Sequence, residues 1–479
     1  MYLGLDLGTS GLKGVLIDDA QRIVAEATTP LSVSRPHSGW SEQVPADWLS
    51  AAGNVIDAIA AECDMASVRA IGLSGHMHGA TLLDASGNVL RPCILWNDTR
   101  AYAQAAQMDA DPKWREITGN IVFPGFTAPK IAWVRAQEPD IYAQIDKVLL
   151  PKDYLRLWLT GEAVSEMSDA AGTSWLDTGA RDWSDTLLAE TGLSRSAMPR
   201  LVEGSAPSGT LRAELQSRWG FGSNVIVAGG GGDNAASAVG VGVVRPGEAF
   251  VSLGTSGVLF AACEAYRPDA ASAVHTFCHA LPDTWHQMGV ILSATDSLNW
   301  YAGLTGTDAA TLSGELGDLT GPGSALFLPY LGGERTPHND ARIRGALTGI
   351  EHATDRPAGT RAVMEGVAYA VRDSFDALRA TGTEIDTLIA VGGGSRSNYW
   401  LRLIATVLDL PIQVPAEGDF GAAFGAARLA MMAAGDGGPD IATRPDIARV
   451  VAPQPELHDD FMAAHARYRD TYQALKDLT

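Results

Sequence analysis

Cysteine is scarce in this chain. Its 479 residues hold four, Cys63, Cys93, Cys263 and Cys278, far apart and without a C-x-x-C pair. That excludes a disulfide framework and fits a reducing compartment such as the cytoplasm. Long apolar runs are also missing: no stretch approaches the ~20 residues of a membrane span. The first ten residues, MYLGLDLGTS, lack the basic and apolar blocks of a secretory leader. Positive charge is short as well. Lys and Arg total 35 against 56 Asp and Glu, a formal net charge of -21, which argues against nucleic acid or an anionic membrane as partner. A nucleotide is not excluded, because backbone N–H groups and a divalent cation can hold phosphate. What the chain does have is 46% hydrophobic and 19% charged residues, the balance of a folded protein. Its length predicts two or more domains.

The stretch Val225–Gly240, VIVAGGGGDNAASAVG, organises the rest. An apolar strand, Val225–Ala228, runs into four glycines, then into Asp233, Asn234 and a small-residue helix. Glycines let a ligand or a second backbone approach closely. A carboxylate at a helix start has its charged form stabilised by free N–H groups and the helix dipole. Asp233 is therefore expected to be ionised at neutral pH, as a base or as an ordinary helix cap.

A second signal is repetition. Leu7–Gly11, LGTSG, is a polar hairpin tip between the strands Tyr2–Leu5 and Leu12–Ile17, and Arg22–Pro30 continues the meander. The same five residues recur at Leu253–Gly257, 246 positions on, between the apolar runs Ala249–Ser252 and Val258–Ala261. A repeat at half the chain length predicts two similar domains, each opening with strand, turn and strand. Such tips offer N–H groups and hydroxyls to phosphate oxygens. A third glycine turn, Gly392–Asn398, joins the strand Thr387–Val391 to the helix Tyr399–Val407. It is neither a Walker A loop nor a dinucleotide fingerprint, yet it lets a phosphate or a ring lie against backbone.

Other segments complete the pattern. Val68–Ser74 leads into the turn Gly75–Gly79 (GHMHG), and Cys93–Trp96 into Asn97 and Asp98. Strand ends carrying such residues are where open α/β sheets place ligands. His76 with His78, and His275 with Cys278 and His279, have metal-like spacings. Without a third ligand near the first pair or a helix under the second set, they read as structural polar residues. Pro45–Ala61, Ala362–Leu378 and Phe461–Leu475 read as amphipathic helices. The stretch from about Leu176 to Gly222 reads as a helical excursion with many turns, and Gly332–Asp340 (GGERTPHND) as an exposed polar loop.

Together these residues resemble the FGGY family of carbohydrate kinases. The match lies in Asp6 with Leu7–Gly11, Phe126–Trp133 (FTAPKIAW), the Asp233 turn, Ser252–Gly257 and Gly392–Asn398. It covers essentially the whole chain. The resemblance implies an α/β protein of two duplicated actin-like domains (hexokinase-type, ribonuclease H-like), 1–243 and 244–479, around a central cleft. Longer stretches resemble the members that phosphorylate D-xylulose: Ser34–Gln43 (SRPHSGWSEQ), Gly75–Asp84 (GHMHGATLLD), Ile94–Asp98 (ILWND), Leu149–Leu157 (LLPKDYLRL) and Met167–Thr173 (MSDAAGT).

What the resemblance implies is phosphorylation of the primary hydroxyl of D-xylulose by ATP with Mg²⁺. Asp233 matches the catalytic base, and Met77 and His78 match the sugar-binding turn. Trp96, Phe126 and Asn234 fall where related kinases line the sugar pocket. Asp6 matches the acid that organises the metal-bound phosphates, reaching Mg²⁺ through water. Gly8, Thr9 and Ser10, with Gly254, Thr255 and Ser256, match the two phosphate loops. Gly393, Gly394, Ser397 and Asn398 match the adenosine side. The implied partners are the sugar and ATP, with no nucleic acid or membrane, in a cytoplasmic protein that forms a homodimer. One departure is the run of four glycines before Asp233, where three are expected; the extra residue is expected on the strand side. The rivals are a kinase of the same family for ribulose, a pentitol, gluconate or glycerol, a non-catalytic actin-like nucleotide-binding protein, and a metal hydrolase built on the His and Asp turns. Met77 and His78 favour xylulose, an intact Asp233 argues against the second, and the missing ligand cluster argues against the third.

Overall fold

The structure, a computed structural model, describes residues 1–416 and 420–478. Two mixed sheets form it, and they share one plan. In the first, Tyr2–Leu7, Gly11–Ile17 and Ile23–Pro30 make an antiparallel meander, Ala70–Gly75 runs parallel beside Tyr2–Leu7, and Ile226–Ala228 runs parallel beside that. In the second, Gly247–Leu253, Gly257–Cys263 and Trp285–Ile291 make the meander, and Ile385–Val391 and Ile412–Pro415 add in parallel. The repeated LGTSG therefore marks the same hairpin tip in each half. The edges differ: Pro207–Thr210 closes the first sheet, while His275–Cys278 and Ile447–Val451 flank the second.

The faces of these sheets are covered by helices. Pro45–Ala60 lays Trp48, Val55, Ile56 and Ile59 on the first sheet, as its 3.6-residue periodicity predicts. The opposite face is covered from the other half of the chain. Helix Ala422–Ala433 lies so close that a Cβ on Gly4 or Gly72 would sit 1.9 or 1.8 Å from the carbonyl oxygens of Ala423 or Ala426. Only glycine permits that approach. The exchange is reciprocal: helix Asp233–Val241, which leaves the first sheet, packs Ala238 and Val241 among Phe250, Phe260 and Ile389 of the second. The two exchanged helices also touch each other, Gly425 against the Ala236 carbonyl. Arg428 is buried between them, donating to the Val239 and Gly240 carbonyls at 2.9 and 3.0 Å and so capping the helix that Asp233 begins.

The helices run longer than their apolar stripes predict: Arg356–Ala380 and Pro455–Leu475 each begin with Asp355 or Gln454 ahead of an N-terminal Pro. Two expectations need correction. Leu176–Gly222 is not mainly helical. It holds short strands at Leu176–Asp177, Asp182–Trp183, Arg200–Val202 and Pro207–Thr210, with helices only at Asp185–Glu190 and Ala213–Trp219 and a single 3₁₀ turn at Arg195–Ala197. Gly, Ser and Pro punctuate it too often for helices to propagate. Nor is Gly332–Asp340 simply an exposed loop, since Glu334 and Thr336 are buried. Glu334 accepts the N–H groups of Leu292 and Arg335 at 3.1 and 2.7 Å, and Thr336 exchanges hydrogen bonds with Val290. Their backbone partners repay the burial of polar groups.

Candidate active site

The site lies at the carboxyl ends of three neighbouring parallel strands. Asp6, Ser74 and Gly231 occupy one cross-strand row, and Leu7, Gly75 and Gly232 the next. At the usual strand spacing, the Asp6 and Gly231 backbones are about 10 Å apart. Beyond these rows the chain enters the first LGTSG tip, the GHMHG turn and the helix that starts at Asp233. Open sheets bind ligands at such an edge.

The glycine run carries one residue more than the strand beside it. Val227 pairs with Ile71 and Gly231 with Ser74, so the surplus bulges at Gly229–Gly230. Gly230 has φ of 77°, and a Cβ there would meet the Leu73 carbonyl oxygen at 2.0 Å. The bulge lies on the strand side of the run, and pairing resumes before Asp233.

Asp233 is half-buried at the first position of its helix. Burial pushes its carboxyl up to about 6, against the Asn234 N–H and side-chain amide, which pull it down. These two donors reach Oδ1 at 2.7 and 3.0 Å. The expectation that the helix start holds the anion therefore needs correcting in balance: desolvation outweighs the local donors. The group is still about nine-tenths ionised at pH 7.

Met77 and His78 stand beside it. A Cβ on Gly232 would touch Met77 Cγ and Sδ at 3.0 Å. His78 has φ of 69°, and its ring stacks on Phe126 at 4.5 Å, with Nδ1 2.6 Å from the Gly172 carbonyl oxygen. Burial and the nearby Lys130 push His76 and His78 down to about 3, so both rings are neutral. Lys130 is itself fully buried, pushed down to about 7, and donates to the His78 carbonyl oxygen at 2.8 Å. Trp96 is half-exposed and donates from Nε1 to Thr9 Oγ1 at 3.0 Å, tying the Cys93–Trp96 stretch to the first glycine tip.

Gly8 donates its N–H to the Gly11 carbonyl at 2.9 Å, closing the first tip, where Ser10 is exposed. In the second tip Thr255 and Ser256 are exposed, and the Gly254 and Thr255 carbonyls accept the N–H groups of Thr295 and Ala294 at 2.9 and 2.8 Å. Gly392, with φ of 87°, lies against Leu253, so the third glycine turn rests on the second tip. Gly393, Gly394, Ser397 and Asn398 line a cavity of about 740 Å³ with Ala309 and Ser313. Ser397 caps the helix Asn398–Leu408 and meets Ser313 Oγ at 2.7 Å. A second cavity of about 860 Å³ adjoins the same turn, between Gly392 and the exchanged helix at Ser237.

Sequence reasoning missed what supports this edge. Lys152, Asp153, Arg156, Glu166 and Asp169 form an ionic cluster with no solvent exposure. Lys152 lies 2.9, 3.3 and 3.0 Å from Asp153, Glu166 and Asp169. Two cations face three carboxylates, and burial holds the Asp169 carboxyl above the usual carboxylate range. The cluster grips the glycine run at both ends. Arg156 donates to the Gly229 carbonyl, and Ser168, anchored on Glu166 at 2.8 Å, accepts the Gly232 N–H at 3.0 Å. In the sequence most of these residues showed only as parts of Leu149–Leu157 and Met167–Thr173, with no sign that the two stretches meet. Of the other metal-like spacing, His275 and Cys278 lie on a buried strand.

Two duplicated α/β domains, whose cleft is lined by glycine tips and a half-buried carboxylate, define a two-domain kinase of the actin-like fold. Comparison with known proteins names it further. Residues 1–240 match the N-terminal domain and residues 249–434 the C-terminal domain of the FGGY family of carbohydrate kinases. The chain belongs to that family. It is 49% identical to the xylulose kinase of Escherichia coli (strain K12) over 91% of this chain and 90% of that one. The crystal structure of a xyloylose kinase from Brucella ovis is 62% identical, with a TM-score of 0.99 and full coverage of both chains. That of xylulose kinase from Rhodospirillum rubrum is 28% identical, with a TM-score of 0.93 over 100% of this chain and 99% of that one. Among the described residues no helix is long and apolar enough to cross a membrane.

Proposed function

We propose that this chain transfers the γ-phosphoryl group of ATP to the 5-hydroxyl of D-xylulose, giving D-xylulose 5-phosphate. The observation that carries the reading is the pairing of Asp233 with the Met77–His78 turn beside a glycine tip. Asp233 accepts the hydroxyl proton as the oxygen bonds to the γ-phosphorus and the bridging oxygen leaves with ADP. Such base catalysis contributes about 10²–10⁴-fold. Asn234 holds Oδ1, which leaves Oδ2 for the substrate. Met77, His78, Trp96 and Phe126 hold the carbon chain of the sugar and exclude water. Gly8, Thr9 and Ser10 and Gly254, Thr255 and Ser256 give N–H groups and hydroxyls to the phosphates, and Gly393, Gly394, Ser397 and Asn398 face the adenosine.

In this reading the divalent ion is Mg²⁺, with Asp6 holding it through water. The donor set fits a hard cation: Asp6 offers carboxylate oxygens, and the imidazole of His76 is buried. When bound, the ion supplies charge to the phosphate oxygens. The reading also divides the chain at 243/244, one glycine tip to each part, and places a homodimeric enzyme in the cytoplasm.

The test is sugar-dependent ADP release from MgATP, with D-xylulose, D-ribulose, L-ribulose, D-arabinitol, gluconate and glycerol in parallel. Preference for D-xylulose, lost in Asp233→Ala, is the expected result. Preference for another polyol overturns the substrate, and equal sugar-independent turnover by both proteins overturns the catalytic assignment.

A further inference from the structure

We propose that Arg335 reads the ketol end of the sugar, donating hydrogen bonds to its C2 carbonyl oxygen and thereby selecting ketopentoses over pentitols. The inference rests on the reading of Met77, His78 and Phe126 as the sugar site. Arg335 comes from the second half of the chain, on the loop whose neighbours Glu334 and Thr336 are buried and pinned to the sheet. Held this way, its half-buried side chain packs on Phe123, close enough to His78 to act on it electrostatically.

The guanidinium lies 4.2 Å over the Phe123 ring, Phe123 is edge-on to Phe126 at 5.4 Å, and Phe126 stacks on His78. Its field helps to keep His78 and His275 neutral. Among the described residues its one polar contact is His275 Nε2, at a long 3.5 Å. The ionisable groups that face it are these two neutral rings and Glu334, which burial pushes up to about 8. Glu334 Oε1 is already taken by backbone N–H groups. A guanidinium carries five N–H donors and no acceptor, so this one is matched to an acceptor that the cleft must receive.

The sugar supplies one. A 2-ketopentose closes to a furanose by adding its 5-hydroxyl to C2. The form with a free 5-hydroxyl is therefore the open-chain ketone. With that hydroxyl at Asp233, the chain passes Met77, His78 and Phe126, and the carbonyl oxygen, an acceptor only, reaches the Arg335 end. A pentitol places a hydroxyl there instead. That hydroxyl can accept from the guanidinium too, but it brings a proton for which a donor-only group offers no acceptor, and leaving that proton unpaired disfavours the pentitol.

The experiment is calorimetric binding of D-xylulose and D-arabinitol to wild type, Arg335→Met, Arg335→Lys and Phe126→Ala, with thermal melting of each. The expected result is loss of about a hundredfold in D-xylulose affinity in Arg335→Met, at most a threefold change for D-arabinitol, and partial recovery of the ratio in Arg335→Lys. Equal loss of both ligands, or of neither, in folded Arg335→Met overturns the proposal. Unchanged D-xylulose binding in Phe126→Ala overturns the sugar-site reading on which it rests.

Discussion

Replacing Asn234 by Ala tests whether the acid limb of the pH–rate profile belongs to Asp233. The side-chain amide of Asn234 donates to Asp233 Oδ1 at 3.0 Å, and the Asn234 backbone N–H donates at 2.7 Å. Asn234→Ala removes the first and keeps the second. A hydrogen bond to a charged group contributes about 1.5–3 kcal/mol, and one pKa unit corresponds to about 1.4 kcal/mol. The carboxyl, at about 6 in the native protein, should therefore rise by about one unit at the lower end of that range, where the retained backbone donor takes up part of the loss. In kcat/KM for D-xylulose, measured by coupled ADP release, the acid limb should move from near pH 6 to near pH 7. At pH 6 the ionised fraction falls from about one half to about one tenth, while above pH 8 it is nearly complete in both proteins. Loss of a contact to the sugar would lower the plateau without moving the limb. A limb that stays near pH 6 in Asn234→Ala refutes both the assignment of the limb and the role given to the amide.

Three further outcomes follow from the same geometry. Because burial raises the native carboxyl of Asp233 above its unfolded value, the native state binds its proton more tightly and loses stability as pH rises from about 4 to about 6. Asp233→Asn should thus be inactive yet more stable by about 2–3 kcal/mol at pH 7, a gain that thermal unfolding should find absent below pH 4. Ser168→Ala leaves the buried Gly232 N–H without its acceptor; kcat should fall about tenfold with a modest drop in melting temperature, and an unchanged kcat would separate Ser168 from the positioning of Asp233. Lys152→Met removes the cation shared by three buried carboxylates, leaving Arg156 on Asp153 alone, and should destabilise the fold by about 3–5 kcal/mol in urea titration; a neutral result would refute the view that this cation holds the cluster together.

What could be read in the sequence was what repeats or what is local. LGTSG at two equivalent positions gave away the duplicated hairpins, and periodicity located the helices Pro45–Ala60 and Asn398–Leu408 to within about a residue. The Asp233 turn announced itself through its glycines. Lys152, Glu166 and Asp169 did not, because each is an ordinary surface residue by type and only the fold encloses them together. His275 and Arg335 were hidden for a related reason: they meet Phe123 and Phe126 across more than a hundred residues of chain. The direction of the Asp233 shift was also illegible, since helix-start donors are visible in a sequence and the depth of burial is not.

The exchanged helices set an order on how this protein can be made. While the ribosome is still producing the second half, the Gly4 and Gly72 face of the first sheet has no cover, because the backbone that fits it belongs to Ala422–Ala433. The nascent first half must wait, with an apolar face open, until most of the chain has emerged. A chain interrupted before residue 433 leaves that face open to a chaperone or a protease.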